Sequence, residues 1–291
     1  MLTAYAQLAS SMALVGANVA VAKLLANALP IALIVVLRCL LACIVLWPLA
    51  RLREGRARPS PAALRNLAMQ AALGTLLYNA ALLTGLRYTT ALEAGLVLAT
   101  LPAVIALGSA LWLRERLPAR QWAAAALAAG GMGAITLARS DAAAGGSLAG
   151  NALIFLAVCG EAAYVLLAKR LSGRVPVVTA SLWMQVFSAA MMLPFCLPAL
   201  GAVAALADPG LAGLLVFHSL TASVLCLLLW YAGLLKAPAG VAGVFTAFLP
   251  ATAAILAVLL LGEHLSLFHL AGLALMLSSI LMATWPRRRR G

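Results

Sequence analysis

Apolar runs of about one membrane thickness follow one another along the whole chain, separated by short breaks of charge, proline or glycine. Ten runs can be marked, at 4–25, 30–50, 65–87, 91–113, 119–138, 149–170, 177–199, 211–235, 239–261 and 266–285. About 20 helical residues, rising ~1.5 Å each, cross a hydrocarbon core of ~30 Å. Each run therefore predicts a membrane-spanning α-helix. The gap between 65–87 and 91–113 is a very short turn, which predicts an antiparallel helix hairpin. Gly130, Gly131 and Gly133 sit in an Ala-rich run and predict close backbone contact, as small residues allow between helices in lipid.

Composition points the same way. The 291 residues are 65% hydrophobic and 9% charged, and the mean hydropathy is +1.09. A soluble domain is about half apolar and about a quarter charged, so lipid is the solvent here. The net charge of +13 does not imply a nucleic-acid partner, because the basic residues fall in the gaps between apolar runs. Alternate gaps hold Arg51, Arg53, Arg56, Arg58 and Arg65; Arg114, Arg116 and Arg120; Lys169, Arg170 and Arg174; Lys236; and Arg287 to Arg290. The other gaps hold only Lys23, Arg87 and Arg139. The positive-inside rule then puts both termini in the cytoplasm. The first run lacks a basic leading segment and reads as a span, not a cleaved signal. Cys39, Cys43, Cys159, Cys196 and Cys226 lie inside apolar runs and read as small buried side chains, with no disulfide framework.

The two halves repeat. Ala22-Lys23 and Pro30 return as Ala168-Lys169 and Pro176; Gly95, Pro102 and Glu115 return as Gly243, Pro250 and Glu263. Leu113-Arg114-Glu115-Arg116-Leu117 aligns with Leu261-Gly262-Glu263-His264-Leu265. Five spans per copy invert the second copy relative to the first, an organisation typical of secondary transporters. The expected layout is a first repeat at 1–140, a second at 147–286 and a basic cytoplasmic tail at 287–291. The fold class expected is an all-α membrane protein, with ten transmembrane helices as two inverted five-helix repeats.

On the Pro30…Arg38 opening of the second helix, the two Glu115 and Glu263 segments and the helix count, the chain resembles the drug/metabolite transporter superfamily, ten-helix EamA type. Through Tyr78-Asn79 it is similar to the YddG-like bacterial amino-acid exporters within that type. The resemblance implies export of amino acids or related metabolites; the Ala- and Leu-rich composition and the lack of sorting signals point to a bacterial inner membrane. It also implies a central cavity lined by helices 1, 3, 4, 6, 8 and 9, with helices 5 and 10 as outer supports.

Polar residues in hydrocarbon turn toward protein or a wet cavity. Helix 1 aligns Gln7, Ser11 and Asn18 within about 40° of one another at ~100° per residue. Helix 8 aligns Ser219, Ser223, Cys226 and Trp230; helix 4 places Glu93 and Thr100, and helix 9 places Phe245 and Thr252, seven apart; helix 3 carries Tyr78 and Asn79. Ser11, Asn18, Tyr78, Asn79, Thr100, Glu161, Tyr164, Ser223, Trp230 and Phe245 are thus candidates for substrate binding or translocation. Interhelical hydrogen bonding is the competing role for the Ser, Thr and Asn residues. Arg38, Glu93 and Glu161 are the intramembrane charges. Arg38 and Glu161 are both expected near the midplane, where they pair with each other or meet substrate or water, whereas Glu93 forms a surface ion pair near Arg87. Pro102 and Pro250 occupy equivalent mid-helix positions and are candidate hinges.

Helix 1 has no carboxylate, unlike the small four-helix multidrug relatives in the superfamily, which places proton-coupled cation export in doubt. His218, His264 and His269 have no metal-ligand spacing, Gly145-Gly146-Ser147 lacks a following P-loop lysine, and no nucleophile–base cluster appears. No metal, cofactor or enzymatic activity is expected. The expected partners are a small-molecule substrate and membrane lipid, with a monomer as the working unit. Multidrug or sugar-phosphate-like transport is the nearest alternative; a membrane scaffold or lipid scramblase is the alternative of another class.

Overall fold

The computed structural model describes residues 1–55, 57–89, 94, 97–138, 147–249, 251–252, 255 and 267–284. Among these the fold is all-helical, with no strand. The first half contributes α1 (Leu2–Ala28), α2 (Ile31–Glu54), α3 (Pro61–Gly85), α4 (Leu101–Trp112) and α5 (Ala119–Ala138). The second contributes α6 (Leu148–Leu171), α7 (Val177–Cys196, continued by a tighter helix over Leu197–Ala207), α8 (Pro209–Leu234), α9 (Ala239–Phe245) and α10 (Leu267–Thr284). Six of them (α1, α2, α3, α6, α7 with its continuation, and α8) are long and apolar enough to cross a membrane.

Local sequence explains the helix starts. Proline stands just before α2, α7 and α9, where its fixed φ suits the entry and its missing N–H costs nothing. Ser60 and Ser147 cap α3 and α6 by accepting from N–H groups of the first turn. Two caps come from far along the chain. The Glu54 carboxylate accepts from the N–H groups of Val178 and Thr179 at 2.9 and 2.8 Å and from the Thr179 hydroxyl at 2.7 Å. Glu115 accepts from Ala239 N at 3.1 Å, Gly240 N at 3.4 Å and the Ser109 hydroxyl. A carboxylate at a helix N-terminus satisfies orphan donors and meets the positive end of the helix dipole. Apart from the Ser109 bond, each of these joins one half of the chain to the other.

Four irregularities fall at equivalent places in the two halves. α3 contains a π-helical stretch over Ala72–Leu77, and α8 contains one over Ser219–Leu225. The backbone turns out of helix at Ala99–Thr100, before α4, and again at Thr246–Ala247, after α9. Pro102 is consequently not in mid-helix. It is the second residue of α4, where its missing N–H breaks no helical bond. Its partner Pro250 and the intramembrane Glu93 lie outside the described residues, so the paired-hinge and surface-pair expectations rest on sequence there.

Packing follows the small residues. A Cβ on Gly131 would meet Gly272 O and Met276 Cγ, both at 2.8 Å, so α5 and α10 touch backbone to backbone. Gly130 has open space around it and does not share in that contact. α3 and α6 approach equally closely: a Cβ on Gly74 would lie 2.8 Å from the Tyr164 Cβ, and one on Gly160 would lie 2.9 Å from Leu73 O.

Candidate functional site: a two-lobed polar cavity

The two π-helical stretches and the two broken helices converge on one cavity. Irregular backbone at such depth persists only where protein or a water-filled space satisfies it. The cavity has two lobes of about 450 and 240 Å³. Met12, Val15, Arg38, Gly74, Thr75, Glu161, Thr246 and Leu249 line both, so the lobes share a waist. Tyr78, Asn79, Leu98, Leu101, Met132 and Val158 complete the larger lobe. Ser11, Tyr164, Gln185, Ser188 and Trp230 are among those that complete the smaller.

Arg38 and Glu161 both face the waist, one from each half of the chain. They do not form an ion pair with each other: the Arg38 guanidinium donates to the Ser223 hydroxyl at 3.3 Å, and among the described residues Glu161 has no hydrogen-bond partner. The pairing alternative raised by the sequence therefore gives way to two separate charges on one space. Trp230 is only 3% exposed, yet its Nε1–H finds no acceptor among the described residues. A buried donor without a partner costs about 1–3 kcal/mol, and this one lines the smaller lobe.

The other candidates divide. Ser11, Tyr78, Asn79 and Tyr164 line the cavity. Asn79 also donates to Thr75 O at 2.6 Å, inside the π-helical stretch. Asn18 lines neither lobe. It accepts from Thr221 at 3.0 Å and contacts His218 Nδ1 at 2.9 Å, tying α1 to α8. Ser11 makes a second tie between the same helices, donating to Cys226 O at 2.8 Å. Ser223 stands behind Arg38, and its carbonyl accepts from Gln185 at 2.7 Å. The Thr100 hydroxyl closes its own turn onto Val97 O at 2.6 Å. Phe245 is buried, stacked between Tyr5 and Phe248 with centroids 5.6 and 6.0 Å away. Helical spacing located the polar faces, but one such face can serve a neighbouring helix as readily as a cavity.

Sequence reasoning missed α7 altogether. Gln185 and Ser188 line the smaller lobe, and Ser188 hydrogen-bonds Thr75 of α3 at 3.1 Å. α2 enters through Arg38, and α5 through Met132, so the lining is broader than the resemblance implied. The signal available was the stripe of Ser181, Gln185 and Ser188 at i, i+4 and i+7 in an otherwise apolar run.

A family described as the EamA-like transporter family matches the chain twice, over residues 2–137 and 148–285. The chain belongs to the EamA-like transporter family. Its two matched segments divide between them the two π-helical stretches and the two charges at the waist. The "Uncharacterized transporter YetK" of Bacillus subtilis (strain 168) is 34% identical over 297 residues, covering 98% of this chain and 88% of that protein. A crystal structure of another protein superposes with a TM-score of 0.81 over 97% of this chain and 98% of that one, at 19% identity, which is a likeness of fold. This EamA-like chain is a multi-pass membrane protein of a transporter family, not an enzyme family.

Proposed function

We propose that this protein exports amino acids or closely related small metabolites across a bacterial inner membrane by alternating access. In this reading ten helices span the bilayer as two inverted bundles, with both termini in the cytoplasm. The observation that carries it is the waist of the cavity. Arg38 and Glu161 present opposite charges to one space without neutralising each other.

A zwitterion matches that arrangement. Its carboxylate meets the planar guanidinium of Arg38, which suits carboxylates in geometry as well as charge. Its ammonium meets Glu161. The Trp230 Nε1–H supplies a further donor to the carboxylate. The larger lobe, walled by Val15, Leu98, Leu101, Val158 and Leu249, receives an apolar side chain. Small-molecule sites of this kind are mostly apolar, with a few placed polar groups, and occupy ~300–1,000 Å³.

Glu54 and Glu115 give alternating access a mechanical basis. Both hold the second half of the chain to the first through helix N-termini. In the proposed topology both lie at the cytoplasmic end, so their bonds close that end in this conformation and must release for the other.

Purified protein in liposomes tests the proposal, with radiolabelled amino acids, cationic drugs and sugar phosphates as parallel substrates. Saturable flux of amino acids, lost on both Arg38→Gln and Glu161→Gln, is expected. Flux of cationic drugs alone, or of none of these, would overturn it. Site-directed labelling that places the Arg287–Arg290 tail opposite the Arg51–Arg58 loop would overturn the inverted topology.

A further inference from the structure

A second cleft lies apart from the polar cavity. It is a groove of about 1530 Å³ between α2 and α3, floored by α7 and larger than the two lobes together. Leu40, Ile44 and Trp47 form one wall, Leu182, Trp183 and Val186 the floor, and Gly55, Ala57 and Pro59 line one end. At that end stand Arg51 and Arg58.

Charge and shape together specify an occupant. Arg51 lies over the Trp47 ring, 5.3 Å from its centroid, which holds the guanidinium at the rim. Neither arginine has a carboxylate partner among the described residues. Glu54, the single acidic residue between Met1 and Leu92, is spent on the α7 N-terminus. The walls are strongly apolar and open, with Ile44 69% and Trp47 56% exposed. From Leu40 to Arg51 the helix rises roughly 16 Å, about half of a ~30 Å hydrocarbon core. The groove thus runs from the interface to the midplane, the length of one leaflet.

We propose that this groove binds an anionic phospholipid, its phosphate on Arg51 and Arg58 and its acyl chains along α2 and α7. A solute anion would use the arginines and leave the apolar walls uncovered. A neutral lipid would cover the walls and leave two cations unpaired. An anionic diacyl lipid satisfies both, and the site is separate from the polar cavity, so it holds whatever the substrate is.

Native mass spectrometry of the detergent-purified full chain tests this with added dioleoyl phosphatidylglycerol, dioleoyl phosphatidylcholine, dihexanoyl phosphatidylglycerol and inorganic phosphate. The unaltered protein is expected to retain dioleoyl phosphatidylglycerol in preference to the other three. Each groove arginine near a charged interface contributes roughly a factor of five, so R51Q/R58Q is expected to bind it about 25-fold more weakly. Arg53 is exposed and outside the groove, and R53Q removes a charge from the same last turn of α2 as Arg51; it is expected to bind within twofold of the unaltered protein. Thermal unfolding of each variant without lipid checks that it is folded. Equal loss in R53Q, unchanged binding in R51Q/R58Q, or displacement by inorganic phosphate would each overturn the proposal.

Discussion

Replacing Trp230 with Phe separates a substrate-binding indole from a packing one, because the two roles predict opposite changes. The buried Nε1–H has no acceptor among the described residues. Removing such a donor returns about 1–3 kcal/mol of desolvation cost. The smaller ring leaves roughly 40 Å³, which at about 24 cal/mol per Å³ costs about 1 kcal/mol if it stays a sealed void. Trp230 borders the cavity, so the space opens into it and the penalty is smaller. The W230F protein should therefore unfold no earlier than the parent, and about 1 kcal/mol of added stability is expected. Binding should respond in the other direction. A hydrogen bond from the indole to a carboxylate contributes about 1.5–3 kcal/mol, so the dissociation constant should rise by roughly 10- to 100-fold. Thermal unfolding in detergent, with and without the amino acid that gives the highest flux, reads both effects from one sample. The unliganded midpoint should hold or rise, and the ligand-induced shift should shrink. A protein destabilised by more than about 2 kcal/mol with an unchanged ligand shift would refute the reasoning, because the indole would then be acting as core packing alone.

Other substitutions probe the remaining parts. Glu161→Gln keeps the size of the side chain and removes its charge; amino-acid flux should fall at least tenfold and lose any dependence on external pH, and full transport at every pH would end the case for Glu161. Glu54→Ala removes an acceptor from two N–H groups and a hydroxyl; with each bond to a charged group contributing about 1.5–3 kcal/mol, discounted for partial solvent exposure, a loss of about 2–3 kcal/mol in thermal stability is expected, and a change below about 0.5 kcal/mol would remove the cap from the account. Pro102→Ala should leave stability within about 1 kcal/mol, because Pro102 is at the second position of α4 and blocks no helical bond; unchanged transport kinetics would dispose of its role as a hinge.

Much of the architecture was legible one residue at a time. Apolar runs fix helices because lipid offers the backbone no partner, and this holds whatever a run packs against. The duplication was visible because Pro102, Glu115 and their counterparts are separated by a nearly constant interval. The two charges at the waist were legible as well, since an arginine or glutamate deep in a span has few tolerable places to go. Family membership follows from the same large-scale pattern, matched over both halves.

Tertiary structure alone decided which polar residues share a space. Asn18 and Ser223 have the helical spacing of cavity residues, yet they tie helices together, because a hydroxyl or amide is satisfied equally by a neighbouring backbone or by water. Ser181, Gln185 and Ser188 form a stripe at i, i+4 and i+7 in α7, yet only the last two reach the cavity while Ser181 donates to Val177 O. The π-helical stretches in α3 and α8 leave no mark in hydropathy, since they shift hydrogen-bond partners without altering composition. Glu54 meets the start of α7 only because the chain folds back between them. Sequence determines which groups cannot face lipid; only the packed helices determine what each of them faces instead.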